Sequence, residues 1–208
     1  MLDNFKVILW DFDGVLMNSN AIRDIGFEKV LAEYPAEQVT ALMKYHKANG
    51  GLSRYVEFRY FFEEIRKEVV SDENIQALAK KFSTIMQQIL FDKSLLIKDS
   101  IQFVQENFSK FKMHIVSGSD GVELRLLCKY LEIDKCFITI EGSPTAKNQL
   151  VKQLLSTYNY SVDDCVLIGD SINDLEAAKI NEITFYGYNY PDFLSADVNN
   201  IKHFYTNS

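Results

Sequence analysis

Residues Val7-Ile8-Leu9-Trp10 form an unbroken apolar run of strand length, and the run stops abruptly at Asp11-Phe12-Asp13-Gly14. A run that is apolar at every position predicts a strand over 6–10, buried on both faces inside a parallel sheet. From 18 to 93 the rhythm becomes helical. Ile22, Ile25, Phe27, Val30 and Leu31 recur at helical spacing, as do Val39, Leu42 and Met43, then Phe58, Phe61, Phe62 and Ile65, then Ile75, Leu78, Phe82, Ile85 and Ile89. Asn18-Ser19 and Ser71-Asp72 offer N-cap residues, and Asn49-Gly50-Gly51 marks a loop. Tyr60-Phe61-Phe62 reads as core of this block rather than a stacking platform.

After residue 97 strands and helices alternate. Helices are expected over 100–108, 121–131, 147–158 and 173–180, and strands over 112–116, 137–140, 164–168 and 183–186. Such alternation implies right-handed βαβ units and one parallel sheet. The strand over 6–10 belongs to that sheet, so the helical block is an insertion. The expected fold is α/β: a Rossmann-like parallel sheet core over 1–16 and 97–208, with an inserted helical-bundle cap domain over 17–96. An insertion hinged next to a strand end is well placed to act as a lid.

Composition agrees with a globular chain. Of 208 residues, 47% are hydrophobic and 15 are phenylalanine, enough for a sizeable core. The net charge of −7 argues against nucleic acid as the main partner. No apolar run approaches the ~20 residues that span a bilayer, and the N-terminal residues lack a signal-peptide pattern. Cys128, Cys136 and Cys165 are scattered and lie in or beside apolar runs, so they read as free thiols in a reducing compartment. The expectation is a cytoplasmic protein, monomeric or weakly dimeric, with neither membrane nor nucleic-acid partners.

The chemistry sits at strand ends. The first strand ends in Asp11 and Asp13; the next, His114-Ile115-Val116, ends in Ser117-Gly118-Ser119. Lys147 opens a later helix, and Val166-Leu167-Ile168 ends in Gly169-Asp170-Ser171-Ile172-Asn173-Asp174. In a parallel sheet the strand carboxyl ends face one crevice. Paired carboxylates there are costly to bury without a cation or hydrogen bonds. Each part suits phosphoryl transfer: a carboxylate nucleophile, a second carboxyl as acid and base, oxygen ligands for magnesium, and a serine, backbone N–H groups and a lysine for the phosphoryl oxygens.

In that order, Asp-Phe-Asp-Gly-Val, Ile-Val-Ser-Gly-Ser, Ala-Lys-Asn and Gly-Asp-Ser-Ile-Asn-Asp resemble the four motifs of the haloacid dehalogenase superfamily. The chain is similar to its helical-cap branch, which includes phosphoglycolate phosphatases and β-phosphoglucomutase-like phosphatases. The resemblance implies Asp11 as nucleophile and metal ligand, and Asp13 as general acid/base whose backbone carbonyl also binds metal. It implies Ser117 and Gly118 as the phosphoryl cradle, Lys147 as the stabilising cation, and Asp170 and Asp174 as ligands of Mg2+ or its water shell. It also implies a sheet with the first strand central, between the second and the fourth. Asn148 stands where many relatives have proline. The segment Gly50–Arg54 resembles a cap specificity loop, which makes Arg54 the candidate contact to the far end of the substrate.

The expected activity is a Mg2+-dependent phosphatase that acts on a small phosphorylated metabolite, a sugar phosphate or a phosphoglycolate-like acid, through an aspartyl phosphate. A phosphomutase of the same superfamily and a non-catalytic binder of metal or a phosphorylated ligand are the alternatives. Asp13 argues against a dehalogenase. The glycine comes too early for an EF-hand loop, and a strand precedes the acids. Arg54 could instead pair with Glu57 or Glu63 on its own helix. His46 and Lys47 beside the loop are weaker candidates, and His114, inside a strand, reads as core.

Overall fold

The computed structural model of the chain describes residues 2–189 and 198–205. Six strands form one parallel sheet in the order β3-β2-β1-β4-β5-β6. They are β1 Val7–Trp10, β2 Lys112–Asp120, β3 Thr139–Ser143, β4 Cys165–Gly169, β5 Thr184–Tyr188 and β6 Asn199–Ile201. As expected, β1 is central, between β2 and β4. Pairing of Trp10 with Ile115 and Ile168 brings the ends of β1 and β4 level with the stretch of β2 that leads into Ser117.

Alternate residues of β1 serve two cores, as the pleat requires. Ile8 and Trp10 point to one face, where Met113, Ile115, Val166 and Ile168 meet α5 (Lys98–Asn107) and α6 (Gly121–Tyr130). Val7 and Leu9 point to the other, where Val116 and Leu167 meet α7 (Lys147–Thr157) and α8 (Ile172–Ile180). This double burial is why the strand reads as a continuous apolar run.

Between β1 and β2 the chain forms α1 (Asn20–Val30), α2 (Ala36–Ala48), α3 (Arg54–Tyr60) with a π-turn over Phe61–Arg66, and α4 (Asp72–Leu90). Phe27, Phe58 and Phe82 join α1, α3 and α4, with ring centroids 4.8 to 6.3 Å apart. Phe61 and Phe62 are buried in the same block. Ser53 and Ser71 cap α3 and α4 with their hydroxyls. Ser19 precedes α1 but gives it no side-chain cap.

Several boundaries moved. β2 runs on to Asp120 rather than ending at Val116, so Ser117-Gly118-Ser119 lies on the strand itself. β3 begins two residues later than expected, at Thr139. β6 was not foreseen, because Asn199-Asn200-Ile201 is short and mostly polar, which an edge strand tolerates. Cys128 and Cys165 are buried and Cys136 is partly so; all three are free thiols. His114 is a core residue, bonded to Thr139 Oγ1 at 2.9 Å and Tyr160 Oη at 3.0 Å, and burial pushes its pKa down to about 4. Among the described residues no helix is long and apolar enough to cross a membrane.

The buried face of α1 also differs from expectation. Arg23, Gly26, Phe27 and Val30 are buried, whereas Ile25 is 42% exposed. A Cβ at Gly26 would stand 2.7 Å from Met86 Cε and from the Phe82 ring, so glycine sets how closely α1 and α4 approach. Gly26→Leu should therefore destabilise the fold by about 1–3 kcal/mol despite its better helix propensity. Ile25→Ala should change stability by less than about 0.5 kcal/mol. Urea denaturation of the two variants checks which face is buried.

Candidate active site

The site is assembled at the carboxyl ends of β1, β2 and β4. Past Trp10 the Asp11 amide donates to Ile168 O at 2.9 Å, which prolongs pairing with β4 and fixes the buried carboxylate between the strands. The chain then turns at Gly14, whose φ is +76°. A Cβ there would lie 1.9 Å from Asp170 Oδ2, so only glycine fits this turn against the end of β4. Asp170 Oδ2 accepts from Asn20 Nδ2 at 2.8 Å.

Asp174 is fully buried in the first turn of α8. Its Oδ2 accepts from the Ser171 amide at 3.1 Å and from the Ser171 hydroxyl at 2.5 Å, closing a capping box. Its Oδ1 accepts from Lys147 Nζ, which also lies 2.9 Å from Asp11 Oδ1. Lys147, at the start of α7, is buried between the two acids. Burial works against its ammonium, but Asp11 and Asp174 more than offset this and raise its pKa.

One ammonium does not balance three acids. Asp11, Asp170 and Asp174 each offer an oxygen within 4.8 Å of the others. Burial, then the neighbouring Asp174 charge, pushes the Asp11 carboxyl well above its ordinary range, and the same two causes push Asp170 up to about 7. Asp11 Oδ1 makes no well-aligned hydrogen bond despite its ion pair with Lys147. An all-oxygen, over-negative, largely buried donor set fits a hard divalent cation.

Asp13 stands apart from that cluster. Its carboxylate accepts from Ser19 Oγ at 2.5 Å, Ser119 Oγ at 2.5 Å and Arg23 Nε at 2.9 Å. Burial alone would raise its pKa; the Arg23 charge and these hydrogen bonds reverse that and hold it below the ordinary range. The other end of Arg23 meets Glu123 Oε1 at 2.5 Å, and Glu123 also accepts from Arg54 at 2.8 and 3.1 Å. A buried chain Asp13–Arg23–Glu123–Arg54 thus links the insertion to the sheet and α6.

A cavity of about 760 Å³ opens over these groups. Six of the eight expected residues line it: Asp11, Asp13, Arg54, Ser117, Gly118 and Asp170. Lys147 and Asp174 lie behind Asp11, in contact with it or with each other. Ser117 is buried, and its Oγ accepts from the Ser119 amide at 3.1 Å. A Cβ at Gly118 would fall 2.2 Å from Gly51 O, so β2 and the loop of the insertion meet through bare backbone. Asn173 Nδ2 donates to the same carbonyl at 2.7 Å. Arg54 bonds neither Glu57 nor Glu63; those acids are held by His46 and Arg59.

Sequence reasoning missed Arg23 and Glu123, and gave Ser119, Ser19 and Glu57 no part in the site. Arg23 lies four residues before Phe27, on the apolar stripe of α1, and a cation on a buried stripe was the available signal. Glu123 sits in the first turn of α6, where an acid ordinarily serves the helix dipole. Lys152 and Lys179 are exposed, as expected of solvated charges.

His46, on the cavity wall, faces Glu57 Oε1 at 2.7 Å through Nδ1 and Asp24 Oδ1 at 3.1 Å through Nε2. Lys47 lies 3.7 Å from Asp24. Burial disfavours the imidazolium, but Glu57 and then Asp24 outweigh it and raise the His46 pKa. A raised folded pKa gives stability that is fully present below the unfolded value of about 6.5 and lost as pH rises through the folded one. The gap in urea midpoint between the wild type and His46→Gln should therefore be widest below about pH 6.5 and shrink as the pH rises above it.

Comparison with known proteins finds relatives in sequence and in fold. Phosphoglycolate phosphatase of Colwellia psychrerythraea is 25% identical over 91% of this chain and 88% of its own length. A 5'-nucleotidase of Pseudomonas aeruginosa is 28% identical over 38% of each chain. Among solved structures, β-phosphoglucomutase from Clostridium difficile superposes with a TM-score of 0.79 at 15% identity, covering 96% of this chain and 91% of that one. CbbY from Rhodobacter sphaeroides, in complex with xylulose-(1,5)bisphosphate, gives 0.74 at 15% identity over 96% and 94%. Residues 8–188 match the family model described as haloacid dehalogenase-like hydrolase, and the chain belongs to that family.

Proposed function

We propose that this hydrolase is a magnesium-dependent phosphatase of a small phosphorylated metabolite, working through an aspartyl phosphate on Asp11. The observation that carries this reading is the surplus of negative charge at Asp11, Asp170 and Asp174 facing one lysine at the floor of the cavity. The family match and the phosphoglycolate phosphatase relative support the phosphoryl-ester substrate.

Asp11, Asp170 and Asp174 would hold the cation, together with the Asp13 backbone carbonyl; Mg2+ there would screen the substrate's charge from the nucleophile's. Lys147 pairs with Asp11 from behind and favours the anion that attack on phosphorus requires, against the opposing effects of burial and Asp174. Ser117 and the Gly118 backbone stand on the cavity wall where phosphoryl oxygens need donors. Asp13 serves as acid to the leaving alcohol and then as base to water. Its contacts with Arg23, Ser19 and Ser119 hold the carboxylate form, which suits the base role. The acid role needs the Arg23 fork loosened, and Arg23 rides on α1.

The domain reading follows. Residues 17–96 act as a cap over a core of 1–16 and 97–208. Contacts Arg23–Asp13, Arg54–Glu123 and Asn173–Gly51 are the seam that closes over the substrate.

Asp11→Asn should leave the fold intact and remove turnover. Asp13→Asn should lower kcat by about 10²–10⁴-fold. Both are read as phosphate release from ester substrates with Mg2+. Wild-type rates in Asp11→Asn would refute the nucleophile assignment, and an isomerised product in place of inorganic phosphate would favour a mutase. Chelation by EDTA should abolish activity, and added Mg2+ should restore it; activity indifferent to chelation would remove the cation from the reading.

A further inference from the structure

We infer that the wall contributed by the helical insertion selects an uncharged, hydroxyl-bearing leaving group, so that the substrate is a sugar or polyol monophosphate rather than a phosphorylated carboxylate or a bisphosphate. The inference rests on the phosphatase reading and narrows it.

A second anion on the substrate would need a free cation, and among the described residues the cavity wall has four candidates. Arg54 is only 4% exposed and fully engaged: it donates to both Glu123 oxygens and to Ser83 Oγ at 2.8 Å, with its guanidinium 4.2 Å from the Phe82 ring centroid. Arg23 is forked between Asp13 and Glu123. His46 has a carboxylate oxygen on each ring nitrogen. Lys47 is 68% exposed and lies against Asp24. Each positive charge on this wall is already answered by an acid.

The wall instead has an acceptor to spare. Glu57 is 1% exposed and lines the cavity; its Oε1 meets His46, while its buried Oε2 has no hydrogen-bond partner. A buried carboxylate oxygen without a donor is costly, and a ligand hydroxyl would supply the missing donor. A carboxylate or second phosphate has no proton to give at neutral pH. It would also approach the carboxylates of Asp24 and Glu57, whose cationic partners, His46 and the exposed Lys47, are already paired with them. A site built to bond a hydroxyl discriminates strongly against ligands lacking it, because its own polar group is then stranded.

The test is phosphate release with Mg2+ from sorbitol 6-phosphate and glucose 6-phosphate, against phosphoglycolate, fructose 1,6-bisphosphate and p-nitrophenyl phosphate. The better hydroxyl-rich monophosphate should exceed phosphoglycolate and the bisphosphate by at least about tenfold in kcat/KM. Glu57→Gln keeps the shape and removes the charge; it should shrink that ratio by about tenfold. The ratio is unaffected by loss of folded protein, and Glu57→Asp provides a second reading if Glu57→Gln does not fold. Preference for phosphoglycolate or the bisphosphate, or a ratio unmoved in the Glu57 variants, overturns the inference and leaves the phosphatase reading standing. No release from any of the five esters overturns the phosphatase reading, and this inference with it.

Discussion

The constraint on which the site depends is electrostatic. Three carboxylates are gathered within 4.8 Å of one another at the top of a sheet, with one buried ammonium among them. Such a gathering is unfavourable in isolation, since burial and mutual repulsion both oppose the charged forms. It persists because the surrounding backbone leaves the acids little choice. Asp11 is anchored by strand pairing, Asp170 by the turn after β4, and Asp174 by its cap on α8. The backbone of the fold thus holds the acids together, the preorganisation that electrostatic catalysis requires.

A second network does for the helical insertion what the sheet does for the acids. Asp13, Arg23, Glu123 and Arg54 alternate in sign, and each interior member bonds both neighbours. Isolated pairs of this kind return little net stability, because desolvation offsets attraction. Their value here is positional. They tie α1 and α3 to β1 and α6 at the rim of the cavity, so the placement of the insertion and the orientation of Asp13 are coupled.

The sheet was legible because burial on both faces leaves few polar positions in the bodies of its central strands, His114 of β2 being the exception. Strand ends were legible for the opposite reason: Asp11, Ser117 and Asp170 interrupt apolar runs where nothing local explains them. The insertion was harder to read. Ile22, Ile25 and Phe27 suggested one face of α1, yet Gly26 and Arg23 lie on the buried side. Close approach to α4 demands the absence of a side chain at Gly26, and a buried arginine is tolerable only with its acids beside it, so neither registers as hydrophobic. Arg54 was found but its partner was not, since Glu123 is distant in sequence and comes near only through the tertiary fold. β6 was invisible because an edge strand needs little apolar character.

Asp174 carries a consequence of a different kind. The one side chain closes the cap of α8, pairs with the buried lysine and completes the triad of acids. Replacing it would alter a helix end, a cation's environment and a ligand set at once. A position with three coupled duties is pleiotropic: each duty restricts the choices open to the others. Substitution at Asp174 therefore has to satisfy all three duties at once, a restriction that an exposed position of the helical insertion such as Ile25 does not share.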